Sequence, residues 1–150
     1  MRAVIQRVSE ARVSVAGTVR DQIGSGLLVL VAAEEGDTPD DLEWLSGKIA
    51  RLRIFSDEAG LMNRSVGEAG GAVMVISQFT LLASTRKGNR PSFLRSAKPE
   101  TAVPLYEQFL NRLETDLGRR VARGEFGADM QISLVNDGPV TLIIDSRQRE

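Results

Sequence analysis

Ser77-Gln78-Phe79-Thr80 places two hydroxyls and a carboxamide where an apolar run, Val73 to Ile76, gives out. Ligands of α/β folds gather at such strand ends, so Ser77 and Thr80 are candidate nucleophiles or hydrogen-bond groups. The chain of 150 residues has no histidine and no cysteine, which excludes a Ser-His-Asp triad, a Cys nucleophile, a Cys/His zinc site and a disulfide framework. No lysine stands at a telling spacing, so a hydroxyl nucleophile here is chemically weak. The backbone N–H groups of the same turn need no side-chain proton and suit an oxyanion hole. On spacing alone, a polar strand end is the better account of these four residues. Any catalysis must otherwise draw on carboxylates, amines, oriented amides or a group carried by the substrate.

Leu82 to Lys98 carries Arg86, Lys87, Arg90, Arg95 and Lys98 with no acid, in a chain whose net charge is −1. That local excess suits a phosphate backbone, and a solvated basic loop is the plain alternative. Phe93, within it, is placed either to stack on a base or to plug the core. Asn136-Asp137-Gly138-Pro139 reads as a turn between strands, in which the proline removes a donor and permits a cis bond.

Other constellations carry less. Glu34, Glu35, Asp37, Asp40 and Asp41 match no EF-hand spacing, and Asp40 and Asp41 suit the first turn of a helix, so no metal is expected. Gly24-Ser25-Gly26 lacks a third fingerprint glycine, Val29 standing in its place, and Gly47-Lys48 is followed by Ile49, so neither a dinucleotide fingerprint nor a P-loop exists. No cofactor is expected. The longest apolar run, Leu27 to Ala33, falls far short of the about eighteen residues that cross a bilayer. The opening MRAVIQRVSE has no unbroken apolar region, which makes the cytoplasm the expected compartment.

These residues must be positioned by one unit, because no linker, repeat or low-complexity segment divides residues 1–150. Arg2 to Val8, Arg12 to Val15 and Thr18 to Ile23 read as short strands, the last two joined at Ala16-Gly17. Leu27 to Ala33 and Ala72 to Phe79 read as buried strands, and Gln131 to Val135 and Val140 to Asp145 as two more. Thr38-Pro39 opens a helix to about Arg53 with an apolar stripe of Leu42, Leu45, Ile49 and Leu52. A second helix runs from about Glu100 to Leu117, Gly118 its stop and Val103, Tyr106, Phe109, Leu110, Leu113 and Leu117 its inner face. Pro104 fits only near the first turn of that helix. The expected fold is a single compact α/β domain with β-sheet layers and two main helices.

SQFTL (Ser77 to Leu81), NRPSF (Asn89 to Phe93) and NDGPVT (Asn136 to Thr141) together resemble the bacterial D-aminoacyl-tRNA deacylases, as do the opening MRAVIQRV, the IGSGLLVLVA strand, RIFSDEAGLMN and ADMQISLVNDGPVT. The resemblance covers almost the whole chain. It implies a homodimer with sites at the subunit interface that hydrolyses the ester of D-aminoacyl-tRNA, and of mischarged glycyl-tRNA, releasing the amino acid and free tRNA. It implies that Ser77, Gln78, Phe79 and Thr80 line the catalytic pocket, with Thr80 matching a threonine once proposed as nucleophile and the substrate's own 2′-hydroxyl as the other described assistant. It further implies that Gly138 and Pro139 enter the partner's pocket through a cis bond and exclude L side chains, that Arg7 secures them, and that Asn136, Arg90 and Phe93 complete the substrate-binding set. Aminoacylated tRNA is the expected partner, with neither DNA nor membrane. Two rivals remain at this point: an RNA-binding module without catalysis, and a Ser/Thr hydrolase of small esters.

Overall fold

Ala16 and Gly17 both take positive φ (50° and 77°), the geometry of a two-residue hairpin turn, and reverse the chain between β1 (Arg2–Val15) and β2 (Thr18–Ile23). The structure, a computed structural model, describes residues 1–149. β1 is one strand where the sequence pattern shows two pieces. Its buried residues explain the discrepancy: Ala3 and Ile5 alternate in one phase, Val8 breaks it, and Ala11 and Val13 return to odd-numbered positions yet pack with Val8 in the other core. Register shifts against its neighbour between Gln6 and Val8 and between Val8 and Glu10 re-aim the side chains, so the strand passes from one core to another.

One edge of β1 is shared by β3 (Gly26–Ala32), antiparallel to its first half, and by β2 along its second. β6 (Ala72–Ser77) pairs parallel with β3, and the two-residue β7 (Ala122–Arg123) pairs parallel with β6. The other edge of β1 carries β8 (Met130–Asp145), also a single strand. Asn136 to Val140 is therefore no hairpin. The segment bulges out opposite Arg7 while both flanks of β8 stay paired to β1, Asn136 facing Val8 and Thr141 facing Gln6. Between β3 and β6 the chain also forms a small hairpin, β4 (Phe55–Ser56) with β5 (Met62–Arg64).

Gly26 is required by close approach. A Cβ there would sit 1.8 Å from the Ala72 carbonyl oxygen, so this glycine admits the β3–β6 pairing.

α1 (Pro39–Arg51) and α2 (Pro99–Leu117) cover one face of β3 and β6. Leu45, Ile49, Phe109, Leu110 and Leu113 are fully buried against Leu27, Val29 and Val75, each removing about 1.5–3 kcal/mol worth of apolar surface from water. The opposite face, with Leu28, Met74 and Ile76, packs under the second half of β1 and the start of β8. The inner face of α2 is Ala102, Leu105, Tyr106, Phe109, Leu110 and Leu113; Val103, expected there, keeps the three-residue spacing to Tyr106 but falls at the margin of the stripe, roughly 120° round the helix from Phe109, and is exposed. Pro104 lies in the sixth position of α2 on its exposed side, deeper than the first turn.

The acidic cluster is occupied by protein. Asp37 accepts from the Met1 ammonium at 2.7 Å and from the Glu34 N–H, and Glu34 pairs with Arg95. Asp41 accepts from the Thr38 N–H and hydroxyl and from the Ser146 hydroxyl. Burial would raise its pKa, but these donors and the nearby ammonium lower it to about 2. Because the folded value lies below the unfolded one, the stabilisation is full above pH 4 and disappears as pH falls through about 2. Asp41→Asn should cost about 1–2 kcal/mol at pH 7 and almost nothing at pH 2, read from urea unfolding at the two pH values.

Candidate active site

β3 and β6 run parallel and end together, Val31 opposite Ser77, which leaves a crevice beyond their carboxyl ends. A cavity of about 560 Å³ opens there. Its floor is Val31, Ala32 and Ile76, one wall is the start of α2 with Pro99, Ala102 and Tyr106, and the other is the loop and strand start from Phe126 to Ile132. Ser77, Gln78 and Phe79 stand at its rim.

The expected strand to Phe79 stops at Ser77, and Phe79–Leu82 forms a turn of 3-10 helix. The Gln78 N–H still reaches back to the Val31 carbonyl at 2.8 Å, and the Leu81 N–H bonds the Gln78 carbonyl at 3.2 Å. Among the described residues nothing accepts from the N–H groups of Phe79 and Thr80, the orphan donors of a helical first turn. Two successive amides are thus left without an acceptor, that of Phe79, which lines the rim, and that of Thr80, which follows it. The Thr80 hydroxyl takes the Gln78 carboxamide as donor and is exposed. Among the described residues no basic side chain hydrogen-bonds to it. Tyr106 is no proton acceptor either: burial pushes its phenol up to about 12, with Glu107 adding and Arg123 opposing, while its hydroxyl donates to the Val75 carbonyl.

Phe93 is brought to this turn. Its ring meets that of Phe79 edge-on with centroids 5.0 Å apart, although Phe79 remains 56% exposed. Arg90 is exposed and makes no ion pair among the described residues, as is true of Arg86, Lys87 and Lys98; Arg95 instead spends its charge on Glu34. The loop presents four available cations beside the cavity, one fewer than its composition offers.

Arg7, Asn136, Gly138 and Pro139 form a second assembly. The Gly138-Pro139 bond is cis, with Gly138 at φ 119°. Asn136 staples the base of the bulge, its Nδ2 donating to the carbonyls of Arg7 at 3.0 Å and Val140 at 3.1 Å. Arg7 donates to the Ile54 carbonyl and holds its Nε 3.1 Å from Asp137 Oδ2, an ion pair too bent to count as a hydrogen bond. Neither Gly138 nor Pro139 lines the cavity. Arg7 faces Leu27, four residues along β3 from Val31, a separation of roughly 13 Å at about 3.3 Å per residue. Within one chain the two assemblies stay apart.

The sequence pattern gives no warning of Phe126, Met130, Ser96 and Asp129, which also line the cavity. Phe126 packs on Tyr106 with centroids 5.7 Å apart and makes that end aromatic. The one available signal is an aromatic residue flanked by glycines, Gly124-Glu125-Phe126-Gly127, which marks a loop ring with little local packing.

Residues 4–145 match the sequence profile of the family described as D-Tyr-tRNA(Tyr) deacylase. Proteins named D-aminoacyl-tRNA deacylase from Opitutus terrae and Parabacteroides distasonis are 62% and 58% identical to the chain, each alignment covering all of both proteins. A solved structure titled c-Myc DNA Unwinding Element Binding Protein superposes with a TM-score of 0.90 at 39% identity, covering 97% of this chain and 98% of that one. A probable eukaryotic D-amino acid tRNA deacylase, at 18% identity and a TM-score of 0.81 over 96% of this chain and 98% of its own, shares the fold. With its whole length aligned at such identity, and its strand ends and bulge formed by the residues that carry the likeness, the chain belongs to the D-Tyr-tRNA(Tyr) deacylase family.

Proposed function

We propose that the protein hydrolyses the ester joining a D-amino acid, or glycine, to the terminal adenosine of tRNA. The observation that carries the reading is the pair of unpartnered N–H groups at Phe79 and Thr80 on the rim of a nucleoside-sized cavity without a histidine or lysine base. The Phe126 end suits the adenine ring, and the ester carbonyl then lies at the rim, where both amides stabilise the oxygen as it becomes anionic. Water adds to that carbonyl carbon, the bond to the ribose 3′-oxygen breaks, and the proton of the water passes by way of the neighbouring 2′-hydroxyl to the departing oxygen. Ser77 and Gln78 orient the aminoacyl group. Arg86, Lys87, Arg90 and Lys98 meet the phosphates of the acceptor stem, and Phe93 holds Phe79.

Chiral selection is assigned to the Gly138-Pro139 bulge of a second copy, secured by Arg7 and Asn136, whose carbonyls leave no room for an L side chain. The outer edge of β8 supports pairing of two copies, since it has no strand partner and exposes Val135 and Ile143, the latter 72% accessible. The solved relative whose title refers to DNA raises the other polyanion. A duplex offers the four cations its phosphates but has nothing to fill the cavity, which favours an aminoacylated 3′ end. Cytoplasmic residence follows from that substrate, and no described helix is long and apolar enough to cross a membrane.

Parallel deacylation of D- and L-tyrosyl forms of one tRNA tests the reading. The D ester should disappear far faster than in buffer while the L ester survives at the uncatalysed rate. Equal loss of both, at either rate, overturns it.

A further inference from the structure

The N–H of Thr80 and the carbonyl of Phe79 belong to one peptide group, so whatever holds that carbonyl also aims that N–H. Ser96 Oγ donates to the Phe79 carbonyl oxygen at 3.2 Å. We infer that Ser96 is a positioning residue for the oxyanion site, a role that rests on the hydrolytic reading above and deepens it.

Four contacts hold the serine where this requires. Arg95, immediately before it, donates to Glu34 through Nε and Nη2, both at 2.8 Å, and the Arg95 carbonyl accepts from the Glu35 N–H at 2.9 Å. The Ser96 N–H closes a turn onto the Phe93 carbonyl at 3.0 Å, and the Ala97 N–H bonds the Ala33 carbonyl at 3.0 Å. The segment is thereby tied to the end of β3, on which the Gln78 N–H also depends. The peptide is gripped from two sides: Phe93 abuts the Phe79 ring while Ser96 takes its carbonyl.

The hydroxyl has two effects. It fixes the plane of the peptide, and by drawing electron density towards the carbonyl it makes the Thr80 N–H a stronger donor, since hydrogen bonds in a chain polarise one another. Both effects grow as charge develops on the substrate oxygen, so they act on the rate of the chemical step and leave binding of the intact ester alone. A serine that touched the substrate directly, or that only stiffened the loop, would instead alter affinity or melting temperature.

Single-turnover hydrolysis of D-tyrosyl-tRNA, followed over a range of enzyme concentrations for the parent, Ser96→Ala and Ser96→Thr, separates these cases. Ser96→Ala should lower the limiting rate about fivefold, the share expected of one polarising hydrogen bond acting at second hand, with the half-saturating concentration and melting temperature unchanged. Ser96→Thr, which keeps the hydroxyl, should restore most of the rate. A parent that hydrolyses while Ser96→Ala matches it, or differs only in half-saturation, or while Ser96→Thr is as slow as Ser96→Ala, overturns the inference alone; an inert parent overturns the hydrolytic reading and the inference with it.

Discussion

Thr80→Pro will hydrolyse D-tyrosyl-tRNA about a hundredfold or more slower than the parent, the usual cost of deleting one oxyanion donor, while Thr80→Ala stays within severalfold. Proline removes the backbone N–H at a first-turn position where φ near −65° is acceptable, and alanine removes only the hydroxyl. Both variants lose the contact between the Thr80 hydroxyl and the Gln78 carboxamide, so their difference isolates the amide. Proline also constrains Phe79 before it, and melting temperatures of the two variants report that cost separately. Single-turnover rates decide the matter. A nearly inert Thr80→Ala variant would restore the hydroxyl as nucleophile, despite the absence of any base beside it.

The second large effect is expected at Gly138. Its φ of 119° is a conformation that L side chains rarely adopt, and an added Cβ would sit 2.7 Å from Arg7 Nη2 and 3.2 Å from the Val140 backbone nitrogen. Arg7 has little room to yield, being anchored on the Ile54 carbonyl and lying beside Asp137. Gly138→Ala must therefore move the bulge. The flanks of β8 remain paired to β1 and Asn136 still clasps Arg7 and Val140, so the fold should survive. A displacement on the order of 1 Å at a positioning element costs about a hundredfold in rate, and the same loss is expected here for the D ester, with a narrowed ratio of D to L hydrolysis. Unchanged rate and ratio would remove the bulge from the site.

Much of this architecture is legible in the sequence, and the failures have physical causes. The buried strands and both helices announce themselves because Leu27 to Ala32 and Val73 to Ile76 are covered on two faces and the helical stripes keep a 3.6-residue period. β1 and β8 are obscured because each runs past a register shift, where alternation breaks and a strand reads as two. β7 is only two residues long and leaves no pattern. Ser77 to Thr80 stands out as a polar strand end, but the feature that makes it chemically useful, the switch to a 3-10 turn at Phe79, is set by the segment from Phe93 to Ala97 folding over it. For the same reason Ser96 and Phe126 are silent in the sequence: their contacts are long-range. Asn136 to Pro139 looks like a turn, and only the pairing of both flanks to one strand shows that it is a bulge presented outward.

In the proposed mechanism the site is assembled from two copies, one supplying the Phe79 and Thr80 amides and the other the Gly138-Pro139 bulge. Thr80→Pro and Gly138→Ala chains, coexpressed with different tags and purified as a random mixture of pairs, measure this directly. Half of the pairs then hold one copy of each kind, and one of their two sites combines intact amides with an intact bulge, so about a quarter of parental activity should return although each variant alone is nearly inert. Activity no higher than the average of the two separate variants would contradict it.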